Sequence, residues 1–387
     1  MGISKKVVGA ILLTVLTIAI SSCSNNSNTP DNIASVNGTK AEKNKDSLTV
    51  EQPKLIEPNK PFFKDIFFAD PSAHVFNDKL YIYCSHDIDS GIQPNNDGDQ
   101  YAMEDYHVLS INDFNSACVD NGKALHIKDV PWAKRQMWAP DAAYKNNTYY
   151  LYFPAKDKND IFRIGVATSS SPTGPFKPEK NHIQGSFSID PAVFTDSDNK
   201  SYIYFGGIWG GQLEKWKTGK FDISSKAPEG SEVALGPKVA VLSDDMLSFR
   251  DTPQEISIVD ESGNPILAND EERRFFEGAW VHKYNDNYYL SYSTGTTHYI
   301  VYAMSKNPKG PFIYKGRILN PVKGWTTHHS IVQFKDKWYL FYHDASLSGV
   351  DHRRSVMYTE LSYNSDGTML FSPFHISSLK DTTAYFK

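Results

Sequence analysis

The chain has 387 residues, 40% hydrophobic and 13% aromatic, enough to bury a large core in one or two domains. Its formal net charge of −5 excludes the electrostatic footprint of a nucleic-acid or anionic-membrane binder. A neutral ligand fits that balance.

Lys5 and Lys6, then the apolar run from Val7 to Ile20, form a targeting segment. Ser21, Ser22 and Cys23 close it, and this resembles a bacterial lipoprotein signal in which residues 1–22 are removed and Cys23 carries the lipid. Ser24 rather than Asp follows the cysteine. The resemblance therefore implies an exported chain, lipid-anchored to the bacterial outer membrane on its periplasmic or outward face. Residues 23–60, rich in Asn, Ser, Lys and Pro and poor in aromatics, read as a flexible tether. Cys84 and Cys118 lie beyond it, open to pairing or to remaining buried thiols.

From residue 61 onward, short aromatic and β-branched runs alternate with turns of Asn, Asp, Gly and Lys, and no long helical period appears. Residues 61–387 are predicted to be an all-β domain. Asp70 is out of place at the end of IFFAD, since a carboxylate in an apolar run is costly unless it is satisfied or used. A repeat accounts for it. DPSAHVFNDKLYIYCS from Asp70, DAAYKNNTYYLYFPA from Asp141 and DPAVFTDSDNKSYIYFGG from Asp190 share one plan with EGAWVHKYNDNYYLSYS from Glu277 and HHSIVQFKDKWYLFYH from His328. Each has a polar residue, a short apolar strand, a polar turn and an aromatic-rich strand. Such units, repeated radially, predict a β-propeller, and the length after the tether fits five blades.

The first strand of each propeller blade lines the central channel, so the five repeat starts are predicted to converge on one mouth. A lone Asp before a hairpin is ordinarily a turn cap, and the Tyr and Trp of the second strands read as core. Repetition among apolar neighbours shifts Asp70, Asp190 and Glu277 toward acid–base chemistry. Glycoside hydrolysis needs one ionised and one protonated carboxyl group, and neutral sugars suit the modest charge. Trp138 and Trp209 are candidates to stack on sugar faces. The insertion from His86 to Gln100 is a candidate wall for one side of a pocket.

The set Ala69-Asp70-Pro71, Trp138-Ala139-Pro140-Asp141, Ile189-Asp190-Pro191, Glu277-Gly278 and His328-His329-Ser330 resembles glycoside hydrolase family 43. Members are five-bladed inverting enzymes acting on xylosides and arabinosides. The resemblance implies Asp70 as general base, Glu277 as general acid and Asp190 as the group that keeps the acid protonated and oriented. It implies that Arg354, in HRRSVMYTELSYNSDGT, reaches the sugar in the terminal subsite, with Arg353 the neighbouring alternative. It also implies that His328 helps hold a Ca2+ ion or a water cluster behind the acids, with His329 beside it. Within the family the chain is similar to the β-xylosidase group, some of which also cleave arabinofuranosides, so the expected substrate is a small xylo-oligosaccharide. Two rivals are a retaining fructan or sucrose hydrolase, whose Glu is typically followed by Cys where Gly278 stands here, and a non-catalytic glycan-binding propeller.

Overall fold

The computed structural model describes residues 55–370. The signal expected over 1–22, the lipid site at Cys23 and most of the expected tether lie outside the described residues, as do residues 371–387. Among the described residues there is no α-helix, only three short 3₁₀ turns, and nothing long and apolar enough to cross a membrane as a helix.

Five sheets follow one another along the chain, one for each repeat. Their innermost strands are Phe68–Phe76, Asp141–Lys145, Ala192–Thr195, Glu277–Tyr284 and His329–Phe334. Each of these strands neighbours the next, and the fifth returns to the first, so the ring closes as a five-bladed propeller. Four of the inner hairpins turn on two consecutive left-handed residues: Asn77-Asp78, Asn146-Asn147, Asn285-Asp286 and Lys335-Asp336. Two-residue turns of that hand match the twist of the flanking strands, and Asn and Asp tolerate it best. The second strands supply the fully buried Tyr83, Tyr152, Tyr204, Tyr292 and Tyr342, which fill the wedges between blades.

Blade five has only three strands of its own, Lys337–Asp344 and Ser355–Leu361 following the inner one. The start of the domain completes it. Asn59 and Phe62 donate backbone hydrogen bonds to Tyr358 and Val356, and Ile56 is buried against the same blade. Residues 55–60, expected as tether, are therefore part of the propeller and cover an otherwise open sheet edge. Cys84 and Cys118 are free, Cys84 buried in the blade-one core.

Candidate active site

Three inner strands carry their polar residue on a distorted start. Asp70 and Asp190 have φ of 54° and 56°, and Gly278, after Glu277, has φ of 68°. The ladder slips between Ala69 and Ser72 in blade one and between Glu277 and Trp280 in blade four. A bulge re-aims the side chain that precedes the regular ladder. Pro71 and Pro191 suit that position because they have no N–H to leave unpaired. All three carboxyl groups line one cavity of about 900 Å³ at the channel mouth.

Asp70 is buried and heavily satisfied. Arg354 Nη1 donates to its Oδ1 at 2.9 Å, Arg354 Nη2 lies 3.3 Å from Oδ2, and Ser85 Oγ donates to Oδ2. The Asp70 amide meets His343 Nδ1 at 3.1 Å. Burial alone would push the Asp70 carboxyl up, but the Arg354 guanidinium and His343 more than offset it and hold it well below the usual carboxylate range. Asp70 is therefore ionised.

Glu277 is half-buried, open to the cavity and close to Asp190, which accepts from the Gly278 amide at 3.0 Å. Burial and then the negative charge of Asp70 push Glu277 up to about 8, with Arg354 opposing. Asp190 is raised as well, by burial first and then by Glu277 and Asp70. The pair, Asp190 buried and Glu277 facing the enclosed cavity, thus keeps a proton at neutral pH. His328 Nδ1 lies 3.8 Å from Asp190 Oδ2, and burial drops that ring to about 4, so it is neutral.

Asp141 does not join the others. The inner ladder of blade two, unlike those of blades one and four, runs regularly from Asp141 onward, and the carboxylate points down the channel. There it accepts from Ser72 Oγ, His74 Nε2 and the Val193 amide, tying the inner strands of blades one, two and three together. The expected convergence of four acids and a histidine is corrected to three acids and a histidine.

Arg354 stands on the cavity with its side chain in a dense hydrogen-bond network. Its donors are spent on Asp70, on Thr326 and on Asp87, which takes bonds from its amide, Nε and Nη2 at 2.7–2.9 Å. The guanidinium also lies 4.9 Å from the Tyr101 ring centre. Arg353 sits instead over Phe67. Asp87, Ser85 and His343 were not singled out from the sequence. A signal was present in the His-Asp pairs that close the second strands of blades one and five, His86-Asp87 and His343-Asp344. Arg354→Lys keeps the charge but cannot remake a fork to two carboxylates. It is expected to lower stability by about 1.5–3 kcal/mol, the range for a lost hydrogen bond to a charged group. Urea unfolding checks this, and a variant as stable as the parent would show that the fork does not hold Asp87.

Trp138 forms a wall rather than a free platform, since its Nε1 donates to the Tyr101 carbonyl at 2.7 Å and its ring packs on Phe162. Trp209, 44% exposed at φ 56°, is the freer aromatic face. It stands edge-on to Phe276, beside Glu277, and its amide donates to the buried carboxylate of Glu214 at 2.9 Å. Pro94 to Gly98, within the expected insertion, also lines the cavity, with Gly98 against the Trp138 ring and Asp97 beside Gly210.

Residues 58–369 match the family described as glycosyl hydrolases family 43. A xylosidase/arabinosidase 43A from Humicola insolens is 56% identical over 320 residues, 80% of this chain and 98% of its own length. A β-xylosidase from Xylanibacter ruminicola is 48% identical over 321 residues, covering 82% of this chain and 98% of that protein. Among solved structures, a β-xylosidase/α-arabinofuranosidase from a compost microbial metagenome, in complex with xylotriose and in a calcium-free form, superposes with a TM-score of 0.81. It is 61% identical, covering 83% of this chain and 98% of that one.

Proposed function

The chain belongs to glycosyl hydrolases family 43, and from that premise we propose that it releases xylose, with arabinose as a second product, from the ends of xylo-oligosaccharides and arabinoxylan-derived glycans by single displacement with inversion. Relatives described as xylosidase/arabinosidase and β-xylosidase support the substrate class. One observation carries the mechanism. Two carboxyl groups on one cavity are driven to opposite protonation states, Asp70 held ionised by Arg354 and Glu277 held protonated by burial.

In this reading Asp70 polarises a water for attack on the anomeric carbon while Glu277 protonates the leaving oxygen. Asp190, fixed by the Gly278 amide, orients Glu277 and shares its proton. Arg354 acts on the sugar side of the cavity chiefly by holding Asp70 in place and charged. Trp138 walls the pocket, and Trp209 offers a face to the leaving sugar beside Glu277. The retaining rival draws no support, because Gly278 stands where its cysteine would and the relatives are xylosidases.

The test is anomeric. A water-admitting pair requires carboxyl groups roughly 6.5–9.5 Å apart, against about 5–5.5 Å in a retaining site. Proton NMR on a β-xyloside should show α-xylose first, before mutarotation, with negligible transfer to added alcohol. Initial β-xylose overturns the single displacement. Side-by-side rates on nitrophenyl β-xyloside and nitrophenyl α-arabinofuranoside assign the preferred sugar.

A Ca2+ ion at His328 belongs to the same proposal. The ring is neutral and makes no hydrogen bond among the described residues, so a nitrogen is free to bind. Calcium prefers oxygen donors, so His328 would serve as one ligand among waters. Bound there, the ion supplies positive charge behind the carboxyl groups. Chelation is expected to lower activity and added Ca2+ to restore it, with metal analysis finding one ion per chain. Full activity in chelator, with no metal in the purified protein, returns His328 to a structural role. Lipidation at Cys23 is likewise proposed, and membrane release by Cys23→Ala checks it.

A further inference from the structure

A second cluster lies away from the cavity, on one face of blade one. In the antiparallel ladder between Lys79–His86 and Asp105–Ile111, Cys84 faces His107 and Ser85 faces Tyr106, which brings His86 opposite Asp105. Side chains alternate along a strand, so Asp105 and His107 share a face and His86 reaches them from the neighbouring strand. One ligand atom from each of the three lies within 4.8 Å of the other two. The two imidazole rings are 4.9 Å apart and both lean on Phe68.

His86 Nδ1 lies 2.8 Å from Asp105 Oδ1, a contact that an ion bound between them would replace. His107 Nδ1 is 3.0 Å from both oxygens of Asp120, an outer carboxylate that fixes the ring and leaves Nε2 without a hydrogen bond among the described residues. A cation already occupies the place: Lys123 Nζ lies 2.5 Å from Asp105 Oδ2. Lys123 is 48% exposed and His86 24%, so an ion can enter from solvent and the ammonium can swing away.

We propose that His86, Asp105 and His107 form a binding site for a divalent transition-metal ion, which displaces the ammonium of Lys123 from Asp105. Two imidazoles and one carboxylate, with remaining positions open to water, suit Zn2+, Ni2+ or Co2+ and not the oxygen-seeking Ca2+. The site is therefore chemically separate from His328. It also reaches the catalytic apparatus through one strand end. Ser85 and Asp87, on either side of His86, turn the other way and hold Asp70 and Arg354. Cross-linking His86 to the next strand stiffens the segment that positions both.

The test titrates Zn2+ alone into the chelator-stripped chain by calorimetry, with Co2+ absorption reporting imidazole ligation and thermal melting reporting stabilisation. One ion per chain should bind and raise the melting temperature in a saturable way. Loss of a ligand in His86→Gln or His107→Gln should weaken binding by more than about tenfold, since even outer-shell losses cost 10–100-fold. Lys123→Met should tighten binding, because the competing ammonium is gone, and His328→Gln should leave it unchanged. If the buried His107→Gln fails to fold, His86→Gln and Lys123→Met still decide with opposite signs. Zn2+ affinity unaltered in His86→Gln and Lys123→Met, or lost in His328→Gln, overturns the site.

Discussion

Asp70→Asn is expected to lower kcat/KM on a β-xyloside by about 10²–10⁴-fold, the worth of a general base. The amide keeps the size of the carboxyl group, and its single oxygen can still accept from Arg354 Nη1 while its NH2 donates to Ser85 Oγ, so the bulge and the cavity wall persist. It cannot take a proton from water. Arg354 keeps Asp87 as a charged partner through three hydrogen bonds, so the substitution does not strand a buried cation. Unfolding by urea should therefore show a native-like transition alongside the lost activity. A folded variant keeping more than a tenth of parental activity would remove Asp70 from the base role. The pH profile offers a second reading. The Asp70 carboxyl is held far down by Arg354 and His343 despite its burial, so the parent should keep the base ionised and active through mildly acidic pH.

The blade count and the three acids were legible because both are local patterns repeated along the chain. A polar residue before an apolar strand, a polar turn and an aromatic strand marks each inner hairpin, and the inner strands begin at or within two residues of the predicted starts. What was not legible depends on bulges and on pairs distant in sequence. Asp141 has the same repeat position as Asp70, yet it points down the channel, where the inner ladder of blade two is regular. A proline follows Asp70 and Asp190 where Ala142 follows Asp141, a difference that the shared repeat plan obscured. Asp87 and Arg354 are 267 positions apart, and their contact exists only because the ring closes blade five onto blade one. The same closure recruits residues 55–60, whose composition alone resembles the tether before them. Side-chain burial also altered the reading of the charges. The sequence pointed to Asp190 as the charge that raises Glu277, whereas burial and Asp70 lead in the structure, with Asp190 itself raised beside its partner.

Glu277→Gln carries the other large effect, and its signature is a dependence on the leaving group. Without the acid, departure of an unactivated sugar should slow by about 10²–10⁴-fold. A nitrophenolate leaves with little protonation, so nitrophenyl β-xyloside should lose far less than xylobiose. Equal losses on both would point to a different acid. The sign of the pH effect follows from the shift. Burial and the Asp70 carboxylate lift Glu277 from 4.5 to about 8, so the working protonated form is lost as pH rises through about 8. The parent should show a basic limb there, and Glu277→Gln should lack it. Stability moves in the same direction. The native state holds this proton more tightly than the unfolded chain, so Glu277 contributes a fall in stability as pH rises between 4.5 and about 8. Glutamine does not titrate, so the variant should lose that share of the slope in urea unfolding across the same window. A variant whose basic limb and stability slope both match the parent would place the raised group elsewhere, with Asp190 the next candidate.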